Sequence, residues 1–312
     1  MQTRFTLRQL EYLVAVGQHG SVTLAAEQLS VSAPSISTAI SALEAEFGLP
    51  LFVRKHAQGM SPTTGGRDLI EAAARVLEAA QAVAAVASRH LGTVHGTLKV
   101  GCLSTFAQIL LPQLRKSYQQ LYPEVDFRQF ERHQVGLIEG LRDASLDIAL
   151  TYDLAIPADL EFTTLGVLPP FAILAETHPL AQQAVVSIAD LAAHPMVFLD
   201  LPLSADYFVS LFDQAGLKPR IVERTQDMAV VQSLVGNELG YSIANLRPQS
   251  EISPDGRPLR FVPLAAPVKP MRLGLLSAQG GRASLTVQAF VDHCRKMLSE
   301  GLLTRFSVRQ GS

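Results

Sequence analysis

The sequence predicts an α/β protein: a helix-turn-helix with a β-hairpin wing, a long helix, then a larger domain of alternating strands and helices. Three observations carry this. Two short helical segments flank the tight turn Ser30-Val31-Ser32, and a β-prone hairpin follows them. Residues 67–91 contain neither Gly nor Pro. From Thr97 onward, strand-like runs such as "TLKVGC" and "LDIALTY" alternate with helical ones.

Composition bounds the function classes. With 312 residues the chain can bury a sizeable core and divide into domains. A formal charge of -2 excludes a broadly basic protein. Only Cys102 and Cys294 are present, far apart, which argues against a disulfide framework or a cysteine-based zinc site. Arg8 and Glu11 interrupt the only early apolar run, so no signal peptide is expected. The apolar stretch 68–91 carries Asp68, Glu71, Arg75, Glu78 and Arg89, which excludes a membrane span and leads to the expectation of a cytoplasmic protein.

In the first helix Thr6 is a candidate cap, with Gln9 reaching back and Phe5 stapling onto Leu10. Leu10, Leu13, Val14 and Gly17 form its packing face. In "SVTLAAEQLS", Ala25 and Ala26 are small enough to let another helix cross closely. Ser32 is the candidate cap of the third helix, with Val31 packing on Ile36. There Ile36, Ile40, Leu43 and Phe47 fall within about 60° of one another. The opposite face reads Pro34, Ser37, Thr38, Ser41 and Ala45. That is the geometry of a helix-turn-helix, and spacing alone leaves open a helical subdomain with a solvated serine face.

Next comes "LFVRKHAQGMSPTTGG", read as strands at 51–53 and 60–63 turning at Gly59, with Arg54, Lys55 and His56 on the resulting wing. No Lys or Arg occurs between Arg8 and Arg54, and residues 1–66 carry four basic against four acidic side chains. Charge is placed rather than abundant: Arg4 and Arg8 precede or open the first helix, and Arg54 and Lys55 sit on the wing. Leu69, Ala73, Val76, Ala80, Val83, Ala87 and His90 recur at alternating spacings of four and three, the pattern of a helix-pairing seam. A helix packed on its own domain remains the alternative.

The segments "LEYLVAVGQHGSVTLAAEQLSVSAPSIS" and "ISALEAEFGLPLFVR", with Thr63 and Gly66 at the linker start, resemble LysR-type transcriptional regulators. That resemblance covers about residues 5–300 and implies three parts. These are a winged helix-turn-helix over 1–64, a linker and dimerisation helix over 65–92, and an effector domain over 93–304. The last is expected to be a two-lobed, periplasmic-binding-protein-like (type 2) α/β domain, with lobe I at about 93–165 and 268–304 and lobe II at about 166–267. Crossovers are expected near 163–168 and 264–270. The landmarks "AETHPLA" and "DLAAHPMVFL" are similar to those of such domains. Implied partners are double-stranded operator DNA, a small-molecule effector and further copies of the chain, as a homodimer or homotetramer, with RNA polymerase left open. The family usually carries Gln where this chain has Ala33, and often Arg or Lys where it has Thr38.

The candidate DNA-contacting residues are Thr23, Ser32, Pro34, Ser35, Ser37, Thr38, Ser41, Arg54 and Lys55. Hydroxyls on "APSISTAIS" are assigned to base edges, its backbone N–H groups to phosphate, and the placed cations to phosphates. For the cleft between lobes, Ser104 and Thr105 follow the first strand and open a helix, a position suited to an anion. Phe130, Arg132 and Tyr152 are placed on the same lobe, with Ser204, Thr225, Gln226 and Asp227 across the cleft. A plain helix cap at Ser104 and core packing of Phe130 and Tyr152 are the alternatives. A small carboxylate or aromatic acid is the expected ligand.

No GxGxxG, Walker or GxSxG motif occurs, no histidine pair has metal-ligand spacing, and neither cofactor, metal nor catalytic residue is expected. A two-lobe solute-binding protein or metabolic enzyme, using its N-terminal helices for assembly only, is the alternative class. Cys102 is read as a buried inert thiol in preference to a redox sensor.

Overall fold

The computed structural model describes residues 4–55, 59–91, 94–279 and 283–306. Contacts divide the chain into two compact units, 1–93 and 94–312.

The first unit begins with α1 (Leu7–His19), α2 (Val22–Leu29) and α3 (Ala33–Phe47). Thr6 and Gln9 form the reciprocal capping box at the start of α1. Phe5 places its ring against Phe47, centroids 5.5 Å apart. Ser30 takes the left-handed conformation (φ 53°) that turns the chain from α2 toward α3. The apolar stripe of α3 behaves as its spacing predicts: Ile36, Ile40 and Leu43 are buried with Leu13, Val16 and Ala25. The wing is the antiparallel pair β1 (Phe52–Lys55) and β2 (Gly59–Pro62), with Gly59 opposite Lys55. Gly59 therefore belongs to the second strand rather than to the turn. His56 lies outside the described residues.

Helix α4 spans Thr64–Leu91 and so begins three residues ahead of the Gly- and Pro-free run 67–91. The cause is Thr63, whose hydroxyl donates to Pro50 O at 2.8 Å and accepts from Gly66 N–H at 2.8 Å. At Gly17 of α1 an added Cβ would lie 2.6 Å from Ile70 Cδ1, so glycine lets α4 approach closely. This packing divides the predicted seam. Leu69 and Ala73 join Ile70 and Leu77 on the core of their own unit, whereas Val76 and Val83 are 43% and 71% exposed. Ala87 and His90 lie on the same helix.

In the second unit, β3 (Gly96–Cys102), β4 (Val125–Glu131) and β5 (Ile148–Tyr152) are parallel, in the order β4-β3-β5. Helices α5 (Ser104–Ile109), α6 (Leu111–Leu121) and α7 (Gln134–Arg142) connect them. Strand β6 (Leu160–Leu168) leads into the second lobe. That lobe contains β7 (Phe171–Ala175), α8 (Ile188–Ala192), β8 (Pro195–Leu199), α9 (Ser204–Asp213), β9 (Arg220–Thr225), α10 (Met228–Gly236), β10 (Ser242–Ala244) and β11 (Leu259–Pro263). The chain returns through β12 (Met271–Ala278) and ends in α11 (Leu285–Met297) and two short helical turns.

The sheets are mixed in direction. Strand β12 inserts between β5 and β6, antiparallel to both, and β7 is antiparallel to β10 and β11. Strand β6 leaves the first lobe and β12 re-enters it, so opposite directions follow from the path. The first passage falls after Leu168, because β6 continues pairing with β12 to that residue; the second covers 264–270.

Both cysteines are buried, and burial, with Glu131 adding to it, pushes the Cys102 thiol up to about 12. A thiol held protonated is a poor nucleophile, which supports the inert reading. His293 on α11 is buried against α6, its Nε2 2.8 Å from Ser117 Oγ and 3.2 Å from Leu114 O. A carbonyl only accepts, so that nitrogen carries the proton in the neutral ring. Burial lowers the His293 pKa and, together with His194 nearby, that of His178. Unfolding releases both histidines to the ordinary value near 6.5, so the unfolded chain binds more protons as pH falls through that region. Denaturant midpoints are therefore expected to drop between pH 7.5 and 5.5. His293→Gln should flatten that slope; an unchanged slope would contradict the assignment.

Candidate functional site

The first candidate site is the exposed side of α2 and α3. Ser32 caps α3 by accepting from Ser35 N–H at 3.3 Å, and the two hydroxyls lie 2.7 Å apart. Pro34 has no N–H to offer. Of the N–H groups at this helix start, that of Ser35 is therefore taken by the cap and Pro34 offers none. What α3 does present is Pro34, Ser37, Thr38 and Ser41, all exposed, with Thr23 exposed at the start of α2. Among the described residues nothing hydrogen-bonds the Ser37, Thr38 or Ser41 side chains.

Two contacts fix the wing to this face. Glu44 of α3 accepts from Leu51 N–H at 2.8 Å and Phe52 N–H at 3.4 Å, which turns that carboxylate inward. Met60 N–H donates to Gly20 O at 2.7 Å, between α1 and α2. Arg54 and Lys55 stand on β1, opposite Met60 and Gly59. Arg8 is exposed on α1, its Nε donating to the Tyr12 hydroxyl at 2.9 Å.

The second candidate site is a cavity of about 30 Å³ between the lobes of the second unit. Thr105, Tyr152, Ser204 and Asn245 supply its polar atoms; Leu103, Leu199, Leu201, Phe208, Met228, Ala244, Leu246 and Met271 supply the apolar wall. No lining side chain is charged. Burial raises the Tyr152 pKa, so its hydroxyl stays neutral. Leu203, just before Ser204, sits at φ 65°, a left-handed conformation that costs a leucine about 1 kcal/mol or more. The free space admits a water or two.

Three of the sequence candidates meet here: Thr105, Tyr152 and Ser204. Ser104 is exposed beside them at the start of α5. The others lie outside this lining. Arg132 donates to Gly136 O at 3.3 Å and Ser145 Oγ at 3.2 Å and lies over the Phe130 ring, which packs on the core. Asp227 caps α10 through Ala229 N–H at 2.7 Å, Thr225 accepts from Asp227 N–H at 3.3 Å, and Gln226 is exposed. Met228, the next residue, is the one from that stretch that lines the cavity.

Sequence reasoning missed Asn245. It is 3% exposed, donates from Nδ2 to Leu168 O at 2.8 Å and to the Tyr207 hydroxyl at 3.1 Å, and among the described residues has no partner on Oδ1. The one available signal was an Asn directly after the strand "YSIAN".

The chain matches two family models: "Bacterial regulatory helix-turn-helix protein, lysR family" over residues 7–67, and "LysR substrate binding domain" over 91–299. It is 30% identical to the HTH-type transcriptional regulator CysB of Haemophilus influenzae over 76% of this chain and 74% of that one. It is 29% identical to the transcriptional activator protein LysR of Escherichia coli over 92% and 91%. Among solved structures it resembles HinK, a LysR family transcriptional regulator from Pseudomonas aeruginosa. There the identity is 34%, coverage is 94% of this chain and 98% of that one, and the TM-score is 0.64. The two matched domains and these relatives establish that the chain belongs to the LysR-type family of ligand-responsive transcriptional regulators, which are DNA-binding proteins and not enzymes.

Proposed function

We propose that the chain reads a two-fold operator through Ser37, Thr38 and Ser41 of α3, with Thr23, Ser32, Pro34 and Ser35 at the helix starts, while Arg4, Arg8, Arg54 and Lys55 grip phosphates. The observation that carries this is the unengaged Ser/Thr face of α3, with the wing tied beside it through Glu44. Hydroxyls read base edges less decisively than Arg or Gln, so DNA shape and the paired half-sites supply much of the specificity. Val76 and Val83, exposed seven residues apart on α4, support pairing of two chains through this helix, with tetramers built from such dimers. A dimer doubles the phosphate contacts and sets half-site spacing near one helical turn or a multiple of it.

The effector in this reading is a small carboxylate or aromatic acid held between the lobes by Ser104, Thr105, Tyr152 and Ser204, its apolar body against Leu201 and Phe208. It acts by binding a wider arrangement of the lobes more tightly than the closed one, since only differential affinity moves such an equilibrium. A cytoplasmic location accompanies DNA binding; no helix among the described residues is long and apolar enough to cross a membrane.

Competition retardation with a library of half-site variants tests the reading. Thr38→Ala is expected to change relative affinities among sequences several-fold, about 1 kcal/mol per altered contact. A uniform loss across the library would contradict base reading by that hydroxyl.

A further inference from the structure

Asn245 lies where the cleft and both inter-lobe passages meet. Its Nδ2 donates to Leu168 O, at the end of β6 where the first passage begins. The same nitrogen donates to the Tyr207 hydroxyl, which donates in turn to Lys269 O in the second passage at 2.7 Å. Leu168 O and Lys269 O can only accept, so the donors are assigned without ambiguity. Both Nδ2 hydrogens and the single Tyr207 hydroxyl hydrogen are then committed to the passages. The Oδ1 atom is left buried, without a partner among the described residues, on a residue that lines the cavity.

We propose that Asn245 recognises a hydrogen-bond donor on the effector, a hydroxyl or amino group on a largely apolar body, and with Tyr207 ties that recognition to both strands crossing between the lobes. A buried acceptor without a donor selects for a ligand that supplies one. Accepting at Oδ1 polarises the amide and strengthens its two Nδ2–H donors, so a donor in the cleft tightens the hold on both passages. Tyr207 is not part of the cavity lining, so its hydroxyl serves the link rather than the ligand. This rests on the cleft being the effector site.

Three probes with one acid and one ring test the chemistry on the full chain: 4-hydroxybenzoate carries a donor, 4-methoxybenzoate only an acceptor, and benzoate neither. Thermal melting should show stabilisation by 4-hydroxybenzoate at concentrations at least five-fold lower than for the other two, and Asn245→Leu should erase that difference. Tyr207→Phe, which leaves the lining intact, should keep the discrimination while hydrogen exchange over 264–270 in the ligand-free protein quickens several-fold. Equal stabilisation by the three probes, none by 4-hydroxybenzoate, discrimination that survives Asn245→Leu, or unchanged exchange in Tyr207→Phe would overturn the proposal. Operator retardation by the wild type reports the DNA-binding reading separately. Benzoate and 4-methoxybenzoate report ligand binding in the cleft, so a cleft that binds all three alike fails on the role of Asn245 alone.

Discussion

Gly66→Ala is expected to destabilise the N-terminal unit sharply and weaken DNA binding while the second unit melts as in the wild type. A Cβ at this position would lie 2.0 Å from Leu51 O and 2.9 Å from Leu51 C. These are backbone atoms with little room to retreat. Leu51 is fully buried, its N–H is held by Glu44 and its carbonyl accepts from Thr63 N–H at 2.9 Å. Relief would have to move the start of α4 away from the wing, and so disturb the contacts of Leu69, Ile70 and Ala73 with α1. Overpacking at such a site costs about 3 kcal/mol or more, a large share of the 5–15 kcal/mol that stabilises a typical domain. Urea denaturation followed by circular dichroism should separate the two units in the variant. A wild-type denaturation profile would show that this backbone approach is not required.

The double substitution Arg54→Ala, Lys55→Ala is expected to weaken binding on the order of 100-fold on every DNA sequence alike. Residues 1–66 hold four basic side chains, and two of them stand on β1. With no cation on α2 or α3, the electrostatic part of affinity depends on few groups. Each phosphate contact contributes about 0.9 to the slope of log affinity against log salt, so losing two per subunit should flatten a dimer's slope by roughly 3 to 4 units. Retardation at several salt concentrations measures this directly. A weakened affinity with the original slope would mean that these residues act through wing structure rather than phosphate contact.

Features set by neighbouring residues were legible in the sequence. The Thr6–Gln9 capping box, the Ser32 cap and the stripe Ile36, Ile40, Leu43 follow from spacings of three and four, and all are present. Features set by distant partners were not. The start of α4 is set at Thr64 because Thr63 bonds Pro50, thirteen residues away. The apolar spacing of α4 is real, but a seven-residue repeat does not say which partner covers it; Leu69 and Ala73 turned out to face α1. Strand direction in the second unit depends on a path that crosses between lobes twice, and alternation alone carries no direction. Of the cleft candidates, Thr105, Tyr152 and Ser204 line the cavity, where strand ends and helix starts converge. Asn245 was not legible, since its position matters only once Leu168, Tyr207 and Lys269 are brought together.

Sequence-specific DNA binding is tested by retardation of the DNA upstream of the protein's own coding sequence by the full-length chain, against unrelated DNA of equal length and composition. A discrete complex with the upstream fragment is expected at concentrations at least 1,000-fold below those needed for the unrelated one, the ordinary margin of a specific binder, about 4 kcal/mol. Folded protein that binds the two fragments equally, or neither, would contradict sequence-specific binding.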